Sequence, residues 1–252
     1  MMKSILLAVI FMGAFFGSSC GLSEEERQEK ANEIMKKVIA FHGGDSYEDQ
    51  GFKFVFRGGE YSFVHFSDGR YAYTSSKKNK DGKLVEVFMT NGDFIYKVGG
   101  EETKLEAKKE NAIKNSLNSV VYFASLPYKL QDKSVSLKYN REVKIKGASY
   151  EEIEIRFAEQ GGGDDHSDVY HYWVNKETYK IDYLAYVYHT GKGGVRFREA
   201  YNDRRVAGVL FQDYNNYKAD KTTPLADLPA MLEKGELDLL SKIETEDVQV
   251  DE

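Results

Sequence analysis

Apolar residues recur along this chain in two periods. Between Glu24 and Phe41 they fall at Ala31, Ile34, Met35, Val38 and Phe41, the spacing of one face of a helix. Ser23 and Glu26 form a capping box ahead of that run, and His42-Gly43-Gly44 supplies its C-terminal stop. Beyond Gly44 the period drops to two. Phe52, Phe54 and Phe56 alternate with Lys53, Val55 and Arg57. Tyr61, Phe63 and His65 continue the pattern, followed by Tyr71 and Tyr73, Val85 to Met89, and Phe94 to Val98. Gly58-Gly59, Asp68-Gly69, Asp81-Gly82 and Asn91-Gly92 separate these runs, and such pairs between alternating segments signal hairpins.

A second helical stripe, Ile113, Leu117, Val120, Val121 and Ala124, predicts a helix over about 104–126, stopped by Pro127. Strands resume near Val135–Tyr139, Val143–Ile145 and Ile153–Phe157. After the Gly161-Gly162-Gly163-Asp164-Asp165 loop they continue through Tyr170–Val174, Ile181–Tyr188, Val195–Tyr201 and Val206–Tyr214. A short helix is expected near Pro229–Lys234, and residues 241–252 read as an acidic, flexible tail. No repeat or linker interrupts residues 20–240, so a single domain is expected. The fold class is mainly β (α+β), because an antiparallel sheet of this many strands twists and curls. The expectation is a strongly curved half-barrel covered by two or three helices.

The first nineteen residues follow neither period. Lys3, an apolar run from Ile5 to Phe16 and the small residues Gly17, Ser18 and Ser19 have the layout of a secretory signal. The run is shorter than the roughly 20 residues that a spanning helix needs. Cys20, the only cysteine, stands just after the small residues. This arrangement resembles the lipobox of bacterial lipoproteins, with Gly17 where Leu is usual. The resemblance implies an acylated Cys20 as the mature N-terminus, exported and anchored to a membrane by lipid. Each buried acyl methylene contributes about 0.8 kcal/mol to such an anchor. Glu24-Glu25-Glu26 supports the first helical turn and also resembles surface-export signals of some Bacteroidota lipoproteins. The periplasmic face of the outer membrane and the cell surface both stay open.

Composition changes this picture little. There are 18 Tyr and 15 Phe against three Pro, a mix that suits strands. A net charge of −6 without a basic patch argues against nucleic acid as a partner. A lone cysteine suits an oxidising envelope.

The stretch His171-Tyr172-Trp173-Val174-Asn175-Lys176, then Asp182 to Tyr186, Val195 to Asn202 and Asp213 to Lys218, resembles an uncharacterised family of Bacteroidota envelope lipoproteins. The hairpin from Trp173 to Asp182 is also similar to LolA/LolB-type lipoprotein carriers. That likeness implies an incomplete antiparallel barrel lidded by helices, with acyl chains held on its concave face. It assigns no catalytic residue.

Alternation puts Val169, His171 and Trp173 on one face of their strand, and Val195, Phe197, Glu199 and Tyr201 on one face of theirs. His171 and Glu199 interrupt those apolar rows. With Trp173, Tyr183, Phe197 and Tyr201 they are the candidate ligand-binding residues, and as a His–carboxylate pair they are also a candidate acid and base. The alternative is a satisfied hydrogen-bonded pair, or a pair that never meets. Arg196 and Arg198 point the other way. They could grip an anion, or pair with Asp182 and neighbouring carboxylates as a solvated ladder. Asp164, Asp165, His166 and Asp168 form a metal-like cluster without EF-hand spacing. No Gly-x-Ser-x-Gly, P-loop or His-Glu-x-x-His occurs, so no catalytic residue is assigned and no cofactor is expected.

The reading is a monomeric envelope lipoprotein that binds a hydrophobic or amphipathic ligand, a lipid or acyl chain, with an envelope acceptor protein as a possible partner. Two alternatives stand beside it. One is an envelope hydrolase using His171 and Glu199 or the 164–168 loop, and the other is a structural, partner-binding lipoprotein.

Overall fold

The computed structural model describes residues 21–158, 167–189 and 191–251; Cys20 and the leader lie outside them. The first helix, α1 (Glu24–His42), starts where the capping box predicts. The Glu26 amide donates to the Ser23 hydroxyl at 3.2 Å, and the Ser23 amide donates to the Glu26 carboxylate at 2.7 Å. Gly43 ends it with φ 157°, and a Cβ there would stand 2.9 Å from the Tyr47 ring. Ala31, Ile34, Met35 and Val38 are buried, as the stripe requires.

Six strands follow as a meander: β1 (Gly51–Phe56), β2 (Gly59–His65), β3 (Tyr71–Lys78), β4 (Leu84–Thr90), β5 (Phe94–Val98) and β6 (Glu101–Glu102). In register, Phe52 faces Phe63 and Phe54 faces Tyr61. Phe63 then faces Tyr73, and Tyr73 faces Met89. The alternating aromatic rows therefore share one face and form one core with Leu117 and Val121 of α2 (Ala107–Ala124).

Past α2 come β7 (Val135–Ile145), β8 (Ala148–Phe157), β9 (Val169–Asn175), β10 (Ile181–Tyr188), β11 (Gly194–Val206) and β12 (Val209–Ala219). The two segments expected at 135–139 and 143–145 are one strand, with a bulge between Tyr139 and Arg141. A 3-10 turn at Leu225–Asp227 leads into α3 (Leu228–Lys234). Two strands end the described chain, β13 (Asp238–Ile243) and β14 (Glu246–Asp251).

The strands make two seven-stranded antiparallel sheets that do not close into a barrel. The first runs β14-β1-β2-β3-β4-β5-β6 and the second β13-β12-β11-β10-β9-β8-β7. The expectation of a flexible tail is corrected here. Val248 and Val250 alternate with polar residues, and β1 has an edge that β14 fills, Phe52 facing Val250. Only Glu244 and Thr245 separate β13 from β14, so this segment carries the chain from one sheet to the other. Asp213 fixes the crossing: it accepts from the Thr245 amide at 2.9 Å and from Arg204 at 3.1 Å.

Helix α2 lies between the sheets. Its Leu117 and Val121 join the first core, while Tyr122 and Phe123 pack on the second with α1, Ile153, Ile155, Tyr172 and Leu184. The second sheet is buried on its other face too. There Trp173, Tyr183, Ala185, Val195 and Phe197 lie against Leu225 and Leu228.

Candidate functional site

The candidate ligand residues belong to that outer face of the second sheet. Tyr183 stands in register between Trp173 and Glu199, and Ala185 between His171 and Phe197, so the predicted rows do share one face. They do not form an acid–base pair. His171 Nδ1 lies 2.8 Å from Glu152 and its Nε2 3.5 Å from Glu154, both on β8. Arg141 donates to Glu152 at 2.8 Å and to the Ala226 carbonyl at 3.0 Å, which ties the group to the 3-10 turn above it. Burial raises the Glu152 pKa, but hydrogen bonds from His171 and Arg141 outweigh it and hold the carboxyl below its ordinary value. Glu199 instead takes Lys146 at 2.5 Å and the Tyr217 hydroxyl at 3.3 Å. Tyr201 donates to Glu244 at 2.7 Å. Trp173, Tyr183 and Phe197 are buried on this face under Leu225 and Leu228, and none of the six lines the two cavities described below.

The acidic-loop cluster is also divided. Asp164, Asp165 and His166 lie outside the described residues. Asp168 is buried and accepts from the His189 amide at 3.1 Å, an internal bond across the hairpin of β9 and β10. Among the described residues no group of His, Cys, Asp or Glu is placed to hold a metal.

Open space behind the helix lies on the inner side. A cavity of about 240 Å³ sits between α2 and both sheets. Its apolar wall is Phe54, Phe56, Val120, Phe123, Ala124 and Ile243, and its polar groups are Arg57, Ser116, Ser119, Arg198, Gln212, Tyr214 and Thr245. Small-molecule sites usually combine an apolar wall with placed polar groups, and this lining is about half of each. A larger concavity of about 800 Å³ runs over the opposite face of the first sheet, beside Lys53, Ser62, Thr74 and Asp251. Several of its polar side chains pair with one another, Ser62 with Thr74 at 2.8 Å, Ser76 with Glu60 at 3.3 Å and Lys53 with Asp251 at 3.6 Å. It is an open groove on a twisted sheet and holds no buried charge without a partner.

Arg198 sets the smaller cavity apart. It stands on β11 with its side chain on the inner face, and only 7% of the residue is exposed. Nη2 donates to the Tyr186 hydroxyl at 3.0 Å, and the guanidinium lies 3.8 Å from the centre of the Phe123 ring on α2. Nε and Nη1 have no hydrogen-bond partner. The carboxylate ladder expected for Arg196 and Arg198 is absent among the described residues. Asp182 goes to Lys180 and Tyr150 instead. Arg196 is satisfied by the Tyr188 hydroxyl at 2.8 Å and the Val195 carbonyl at 2.9 Å. The surrounding phenols do not compensate Arg198 either. Burial above all pushes the Tyr122, Tyr172 and Tyr214 hydroxyls far above their ordinary range, so they stay neutral.

Sequence reasoning missed the contributions of α2: Ser116, Ser119 and Phe123 stand beside its stripe, where the helical period marks them as surface. Gln212 and Tyr214 were legible only as members of an aromatic strand.

Fold and site together define a two-sheet β protein with an inserted helix and a half-apolar cavity behind it. The chain belongs to the family of unknown function DUF6503, whose model matches residues 9–245. No curated protein matches it in sequence. Solved structures of similar layout include a LolA superfamily protein from Nitrosomonas europaea, at TM-score 0.48 and 8% identity, with 88% of this chain and 91% of that one covered. An outer membrane lipoprotein-sorting protein domain from Vibrio parahaemolyticus gives TM-score 0.48 and 9% identity, over 89% and 93% of the chains. The Mycobacterium tuberculosis lipoprotein LppX gives TM-score 0.29 and 8% identity, over 64% and 90%. What this protein binds has to come from its own side chains.

Proposed function

We propose that this is a membrane-anchored envelope lipoprotein that binds and carries a hydrophobic or amphipathic ligand in the cavity behind α2. The observation that carries the reading is the cavity itself: space bounded by Phe54, Phe56, Val120 and Phe123, between a helix and two sheets. A helix docked by side chains alone can shift away from the sheets without breaking a strand ladder, so it offers a way in. The anchor part of the proposal rests on Cys20 and the leader before it. It also agrees with the absence, among the described residues, of a helix long and apolar enough to cross a membrane.

Two experiments test the two halves. Native mass spectrometry of protein purified from its own host is expected to show a bound amphiphile, and to show none after Val120→Trp fills the cavity. Empty wild-type protein in repeated preparations contradicts the carrier half. Radiolabelled palmitate is expected to be incorporated by wild type and not by Cys20→Ser, and label retained in Cys20→Ser contradicts the anchor half.

A further inference from the structure

The cavity behind α2 has a charge pattern that the rest of the chain does not predict. Asp and Glu outnumber Lys and Arg by 41 to 35 in the whole sequence. Yet the lining of this cavity includes two arginines and no carboxylate. Arg57 is exposed and marks the outer end, while Arg198 is buried.

A buried guanidinium without a counter-charge is costly, and proteins normally pair it. Here it has five N–H groups to place. The Tyr186 hydroxyl takes one, and the faces of Phe123 and Tyr186, 3.8 and 5.3 Å from the guanidinium carbon, supply cation–π attraction in place of an ion pair. Nε and Nη1 remain without acceptors and have almost no accessible surface, so an anion reaches them only as Phe123 gives way with α2. The two rings and the Tyr186 hydroxyl hold the group in place and leave its charge without an anionic partner. A fixed buried cation with free donors and no anionic partner is the condition of an anion-receptor site.

We propose that Arg198 is the receptor for the head group of a singly charged amphiphile, a carboxylate with a short apolar chain. This rests on the reading of the cavity as the ligand site. One buried positive charge is matched by one negative charge, so a monoanionic carboxylate suits it better than a phosphate dianion, which would leave a net charge buried. The guanidinium geometry also fits a carboxylate well. Size sets the chain. At the roughly 30 Å³ that a water-sized group occupies, 240 Å³ holds about eight such groups. The carboxylate lies at Arg198 and the chain runs along Phe54, Val120 and Phe123. The hydroxyls of Ser116 and Ser119, one turn of α2 apart, line the same cavity and can donate to the second carboxylate oxygen or to water beside it.

The test is calorimetric titration of the purified protein with sodium octanoate and, separately, with 1-octanol, which shares the chain and lacks the charge. Wild type is expected to bind octanoate about ten- to a hundred-fold more tightly than octanol, the range of a charge-assisted hydrogen bond. Arg198→Met is expected to bind both equally, at the affinity wild type has for octanol. Arg198→Lys, which keeps the charge without the planar fork, is expected to retain part of the preference. Thermal melts of all three show whether each variant is folded. Equal binding of the two probes by wild type overturns the carboxylate assignment and leaves the cavity reading standing, as does a preference that survives in Arg198→Met. If neither probe binds wild type, the cavity reading falls and this inference falls with it.

Discussion

The second sheet has two buried faces, and they treat charge in opposite ways. On the outer face, under Leu225 and Leu228, the charged groups are bonded to one another: His171 to Glu152, Glu152 to Arg141, Arg141 to the Ala226 carbonyl. On the inner face, Arg198 is buried against Phe123 with two nitrogens unbonded. Both faces are rich in aromatics, so aromatic content does not separate a core from a binding surface. What separates them is whether the fold itself supplies the partner of a buried charge.

The contrast can be broken at several points. Trp173→Ala removes a fully buried ring tilted against Phe197, and should destabilise by about 3–5 kcal/mol in denaturant melts. Octanoate affinity at a temperature where the variant stays folded should be unchanged, and a loss of binding there would move the site to the outer face. Glu152→Ala unties His171 and Arg141 and should cost about 2 kcal/mol, again with binding intact.

Acid should act on the whole fold. Burial above all, with nearby Arg205 for one and Lys129 for the other, lowers the pKa of His42 and of His65 from 6.5 to about 3. The unfolded chain therefore binds protons that the folded one refuses as the pH falls through 6.5. Stability is fully present above that value and declines toward pH 3, by up to about 1.4 kcal/mol per pH unit for each histidine. Denaturant midpoints across that window should fall with pH, and His42→Gln with His65→Gln should flatten the slope. Arg198→Met should have the smallest effect on folding, a melting temperature unchanged or slightly higher, because it removes a charge with no carboxylate partner.

Much of the fold was legible in the sequence because local chemistry and tertiary structure agree. The Ser23–Glu26 box starts α1, and the rows Phe52 to Phe56 and Tyr61 to His65 point inward as their alternation requires. Strand β14 was hidden because its two valines stand in an acidic run whose character is set by a distant edge, that of β1. The site was hidden for a related reason. A period of two says which residues share a face, and it says so correctly for His171, Trp173, Phe197 and Glu199. It cannot say that residues near Leu225 and Leu228 will cover that face, while α2 leaves space against the other. Arg198 looked like a solvent-facing charge because a strand flanked by one apolar row is usually half exposed.

The most direct test of the central claim, that ligand enters behind α2 and not beneath the C-terminal segment, is amide chemical-shift mapping during an octanoate titration. Shifts concentrated at Ser116 to Ala124, Arg198 and Tyr214 are the result this account predicts. Shifts confined to His171, Trp173 and the Leu225–Leu228 segment, with Arg198 and α2 unmoved, would contradict it.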